Sequence, residues 1–278
     1  MKSRFIAIVG IIFLSCSYLV ALNQDIEKAD NYFNDRKNIN SLKLAKKIYE
    51  KIITKSKNKH EKIYAFDRFA RLTFLEAQMG PYIWGAPVKN AASLFERCID
   101  LSNKISKDAL GYETPEYTYW RAVFIGLWAN SASMFTLTLK SYLIFDMINL
   151  IKIGLQKYPD FDEGGFYLLQ AGLKVRSRNI KVIKIYNPEE AIVILEQLRK
   201  MGSENHTSYL LKAEAHYVLS QKTEAINTLE EGINNLEIKI AENKITSLFE
   251  VESLATLYLL KESLRTMNFS SYEANKLY

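Results

Sequence analysis

The heptapeptide Glu190-Ala191-Ile192-Val193-Ile194-Leu195-Glu196 returns 34 residues later as Glu224-Ala225-Ile226-Asn227-Thr228-Leu229-Glu230, with five of seven residues identical. Self-similarity at a period of this length means that one supersecondary unit is used again, and such a unit cannot bury its apolar face without a neighbour. Each copy sets a small residue, a large apolar residue four places on and a small or apolar residue three further on one helical face. These are Ala191, Leu195 and Leu198, then Ala225, Leu229 and Gly232. Small residues belong where two helices cross closely, because a bulky side chain there would push the axes apart.

The same spacing recurs as Ala45, Tyr49, Ile52, as Ala91, Phe95, Cys98, and as Met147, Ile151, Gly154 with Pro159 as a stop. A period of 34 is that of the tetratricopeptide repeat, so these sites predict the second helices of about five helix-turn-helix hairpins. First helices are expected over residues 25–33, 61–79, 117–133, 164–177 and 208–220. A last amphipathic segment, residues 245–267, carries Leu248, Val251, Leu254, Tyr258 and Leu264 at helical spacing and predicts a helix capping the open end of the stack. Pro81, Gly85 and Pro87 mark one inserted loop and residues 176–186 another, while no alternating segment predicts a strand. The expected fold is all-α, a single tetratricopeptide-like repeat domain over residues 22–278.

Residues 1–21 read as an export signal: Lys2 and Arg4 precede an uncharged run beginning at Phe5. Ser15-Cys16 places a small residue directly before a cysteine, as a bacterial lipoprotein signal does, so Cys16 is the candidate for lipidation. Two alternatives stay open. Cleavage after Ala21 would release a soluble periplasmic protein, and the stretch Phe5 to Leu22 is just long enough for a tilted membrane span. All three put the folded part on the periplasmic face of a bacterial membrane. The other cysteine, Cys98, falls on an apolar helix face as a small buried hydrophobe.

The formal charge of +6 is a mild bias and argues against nucleic acid as a partner. His60, His206 and His216 have no paired spacing and no neighbouring cysteine, so no metal site is expected. Neither a phosphate-binding glycine loop nor a serine nucleophile elbow occurs. The sequence therefore reads as a binding protein, without cofactor and not an enzyme.

The unusual feature is aromatic. Tyr82 and Trp84 lie in the first inserted loop, while Trp120, Phe124 and Trp128 recur at four-residue steps on one helix. Ala122, Gly126 and Ala129 form a small-residue stripe on that helix, suited to packing against its partner. Aromatic stripes at helical spacing usually belong to the core. The functional alternative is that Tyr82, Trp84, Trp120, Phe124 and Trp128 line a pocket for a hydrophobic ligand.

Three stretches carry a family resemblance. Residues Tyr119-Trp120-Arg121-Ala122-Val123-Phe124-Ile125-Gly126-Leu127-Trp128-Ala129, then Tyr158-Pro159-Asp160 with Gly164-Gly165, then Asn187-Pro188-Glu189-Glu190-Ala191, resemble in order the tetratricopeptide lipoproteins associated with TRAP transporters, the periplasmic T components. Tyr186 and Asn187 depart from the glycine and aspartate expected there. The resemblance covers roughly residues 80–235. It implies a helical fold with a ligand-accessible cavity, trimerisation, and partnership with the transporter's extracytoplasmic solute-binding protein in handling a hydrophobic or organic-acid ligand. It also implies that Trp120, Phe124 and Trp128 line the cavity and that Arg121 meets a carboxylate. The competing expectation is a scaffold lipoprotein that binds protein segments in its groove during envelope assembly.

Overall fold

The computed structural model describes residues 24–84, 91–106, 114–179, 185–203, 205–244 and 250–268, and among these the chain is all-α, without a strand. Helix α1 (residues 24–34) pairs with α2 (Ile39–Lys55). Helix α3 (Lys59–Phe74) runs through a π-helical turn, Leu75–Met79, into the short α4 (Gly80–Trp84), and its partner is α5 (Ala91–Ser106). Next, α6 (Pro115–Ser131) pairs across the short α7 (Met134–Leu139) with α8 (Ser141–Lys157). The last pairs are α9 (Gly165–Arg176) with α10 (Pro188–Lys200), and α11 (Thr207–Val218) with α12 (Lys222–Ala241), before the terminal α13 (Glu250–Asn268). These are the five expected hairpins. Among the described residues no helix is long and apolar enough to cross a membrane.

Local chemistry sets the helix starts. The side chains of Asn38, Asn58 and Asn187 accept from the backbone N–H of Asn40, His60 and Glu190, satisfying donors that the first turn leaves open. Pro115 and Pro188 occupy first-turn positions, where the missing N–H costs nothing. Helix α6 stops at Ser131, short of the expected 133, because Ser133 accepts from the backbone of Thr136 and starts α7 instead.

The crossing positions behave as the spacing requires. Ala45, Tyr49, Ile52, Cys98, Ala191, Leu195, Ala225 and Leu229 are fully buried. At Gly154 the approach is closest: a Cβ there would sit 2.1 Å from the Phe166 ring, so that ring of α9 lies directly on the backbone of α8. The link between them turns through three successive residues of positive φ, Asp162, Glu163 and Gly164, of which only the glycine adopts that region freely.

Helix α13 does more than the cap expected of it. Its Leu260 joins the core of the last hairpin, but Val251 and Ala255 join the core of the first three hairpins. Glu252 accepts two bonds from Arg36, at 3.1 and 2.9 Å, and Arg36 is only 2% exposed. The helix thus leaves the stack's end, crosses its inner side and packs on the π-turn and α4.

Candidate ligand cavity

Helices α3, α6, α8, α9, α11 and α13 line a half-open cavity of about 440 Å³, within the size range of small-molecule sites. Its middle is apolar, formed by Val123, Leu127, Met147, Ile151, Leu169 and Leu173. A Cβ on Gly126 would meet, among the described residues, only the flexible Met147 Sδ at 3.4 Å. The absence of a side chain at Gly126 is thus part of what leaves room.

Charge lies towards the ends. Asp162 just precedes α9 and Arg176 ends it, and twelve helical residues span about 17 Å at 1.5 Å each. At the first end Arg71 reaches Asp162 at 2.9 Å and Asp67 at 3.2 Å, with its guanidinium 5.3 Å from the centre of the Trp120 ring. Burial works against the Arg71 charge, but the two carboxylates outweigh it and hold the guanidinium more firmly protonated than usual. Burial first, and Asp162 second, push the Tyr119 hydroxyl well above its ordinary value. Tyr119 packs edge-on against Trp120, Phe161 and Phe166. At the other end Arg176 makes a two-pronged pair with Glu214, both bonds 2.9 Å, beside His206 and Lys239.

The residues singled out from sequence part company here. Trp120 does form cavity wall, its Nε1 donating to Asp67 at 2.8 Å. Phe124 and Trp128 do not. Phe124 is fully buried against Phe95 and Trp120, and Trp128, 2% exposed, turns away to donate to Glu96 at 3.1 Å. Large side chains fill the space between α6 and α5, so the aromatic side of α6 is core and the small-residue stripe of Ala122, Gly126 and Ala129 borders the cavity. This inverts the assignment of the two faces. Arg121 does meet a carboxylate, but it is the protein's own: it binds Asp146 at 2.8 Å together with Ser102 and Asn103, tying α5, α6 and α8 together. Trp84 donates to the Lys37 carbonyl at 2.9 Å, away from the cavity. The side chain of Tyr82 and the whole of Cys16 lie outside the described residues.

Sequence reasoning passed over Arg71, Asp162 and Arg176. Asp162 carried a signal, since an acidic pair directly before a double glycine is unusual punctuation for a plain helix start. Arg71 and Arg176 carried none, because a lone arginine in a helix is ordinary. Among the described residues no cluster of three or more His, Cys, Asp or Glu is arranged to hold a metal ion. No family model matches the chain, and no curated protein does.

Proposed function

We propose that the protein is an extracytoplasmic, lipid-anchored ligand-handling component of a TRAP-type importer. In this reading it holds a hydrophobic or organic-acid ligand in the cavity and exchanges it with the importer's solute-binding protein. The observation that carries the reading is the cavity: an apolar middle with charged ends, one of them lined by Lys239 and Lys244 as well as the Arg176–Glu214 pair, suits an amphiphilic molecule with an anionic group. The scaffold alternative needs an open groove for a protein segment, and α13 already crosses the inner side of the stack. The motifs shared with the T components supply the transporter context.

The test is tryptophan fluorescence with fatty acids and aromatic acids as probes. Because Trp120 is wall and Trp128 is core, Trp120→Phe should abolish a saturable response that Trp128→Phe leaves intact. No response and no thermal shift with any probe would sink the ligand reading. Crosslinking to a TRAP solute-binding protein of the same organism, with no crosslink counting against it, tests the transporter half, and Cys16→Ala, expected to release the chain from membranes, tests the anchor.

A further inference from the structure

Charge is distributed very unevenly along this chain. Residues 43–62 contain eight lysines against two glutamates, a net of +6 that equals the formal charge of all 278 residues. The structure gathers six of the eight on one side of the first hairpin, while Lys46 turns away to pair with Glu76. Lys43, Lys47, Lys51 and Lys55 succeed one another a turn apart on α2, a line of about 18 Å at 1.5 Å per residue. Lys57 and Lys59 extend it through the turn into α3, and all six side chains are exposed.

The acids interleaved with these lysines in the sequence, Glu50 and Glu61, are outnumbered. Glu50 is taken by Arg97 from α5, and Glu61 accepts from Ser56 and Asn58. On α1, Asp30 accepts from the Tyr49 and Tyr64 hydroxyls, Asp25 pairs with Lys51 at 2.7 Å and Glu27 is exposed, while Asp35, just past the helix, accepts from Ser41. Leu44 stands 43% exposed amid the lysines. A solvated helix face usually mixes acids and bases more evenly than this.

Where the face lies decides what it meets. Asp25, ion-paired to the middle of the lysine line, is nine residues from Cys16 and three from the end of the uncharged stretch at Leu22. Even fully extended, nine residues span about 30 Å. We infer that the lysine face of α2 and the α2–α3 turn docks on the anionic headgroups of the membrane that holds the anchor, orienting the domain rather than merely tethering it. The inference rests on the anchored reading proposed above. Basic clusters of this size beside an anchor bind acidic lipid surfaces, each lysine favouring the surface about fivefold and losing effect as salt screens it.

The experiment uses the full chain carrying Thr54→Cys, labelled with a polarity-sensitive dye on the exposed position between Lys51 and Lys55. It is reconstituted with vesicles of phosphatidylcholine alone or of equimolar phosphatidylcholine and phosphatidylglycerol, with a headgroup-borne quencher. Flotation reports the anchor, and quenching reports the face. We expect flotation with both vesicles but strong quenching only with the anionic ones. It should fall at least about tenfold on replacing Lys43, Lys47, Lys51 and Lys55 by glutamate, and similarly in high salt. Replacement of the same four by glutamine should give an intermediate loss, with the melting temperature confirming that both variants fold. Flotation without lipid-dependent quenching would overturn the docking face and leave the anchor standing. Flotation with anionic vesicles alone, abolished in the glutamate variant, would uphold the face and overturn the anchor. Absence of flotation with either vesicle would overturn both. So would a lysine-dependent affinity for duplex DNA or polyglutamate without any quenching overturn the face.

Discussion

Filling the cavity from Gly126 separates the roles of space and of stability. The perturbation is Gly126→Leu. Replacing a glycine inside α6 with leucine recovers about 0.7–1 kcal/mol of helix propensity. The new side chain enters space where a Cβ meets only Met147 Sδ at 3.4 Å among the described residues. Burying its apolar atoms is worth up to about 2 kcal/mol. Against this stand about 0.5–1 kcal/mol of lost rotamer freedom and the displacement of a flexible methionine. The balance is a variant as stable as the parent, or more stable by about 1–2 kcal/mol, in urea unfolding. The leucine occupies the cavity's apolar middle, so the fluorescence response to fatty or aromatic acids should weaken at least about tenfold, as loss of about 1.4 kcal/mol would do. Destabilisation by more than about 1 kcal/mol would show that the space is not there. Full stability with undiminished binding would show that ligands bind elsewhere.

Trp128→Ala should cost about 3–5 kcal/mol in urea unfolding, since the residue is 2% exposed core, and a cost under about 1 kcal/mol would refute that placement. Gly154→Ala should overpack the α8–α9 contact, where the added Cβ meets the Phe166 ring at 2.1 Å, and lower the melting point by the equivalent of about 1–3 kcal/mol; an unchanged melting point would mean that the Phe166 ring does not rest on Gly154. Burial pushes the Cys98 thiol up to about 12, so the unfolded chain ionises first as the pH rises. The thiol's contribution is therefore intact below its unfolded pKa of about 8.5 and is lost as the pH climbs towards the folded value. Urea titrations should show stability falling between neutral pH and pH of about 10.5, less steeply in Cys98→Ala, and an equal fall in both would remove Cys98 as a cause.

The stack was readable because hairpin repeats advertise themselves locally. Ala191 and Ala225 share a 34-residue offset, and the crossing rule that explains them extends to Ala45 and Gly154 without any long-range information. The cavity was not readable in the same way. Periodicity shows that α6 has an aromatic side and a small side, but both suit a helix interface. Which one closes depends on whether its neighbours fill the gap. Phe95 fills it on one side, whereas α8 and α9 leave space on the other. Arg71 and Asp162, 91 positions apart in the chain, become a pair only once α3 and the α8–α9 turn are brought together. The reach of α13 was likewise hidden, because Val251 and Leu260 look alike in a helical pattern although they enter different cores.

That reach alters how the molecule should come apart. A linear array of repeats is held by nearest-neighbour interfaces and is free to fray from either end, one unit at a time. Here α13 is bonded through Glu252 to Arg36 of the first hairpin, so the first and last described hairpins are joined along it. Loss of the last hairpin must tear away the helix that covers the first, and loosening the first removes the seat of the last. The described chain is open, yet α13 ties its first hairpin to its last as a ring would, so the two are expected to fail together in a single melting transition.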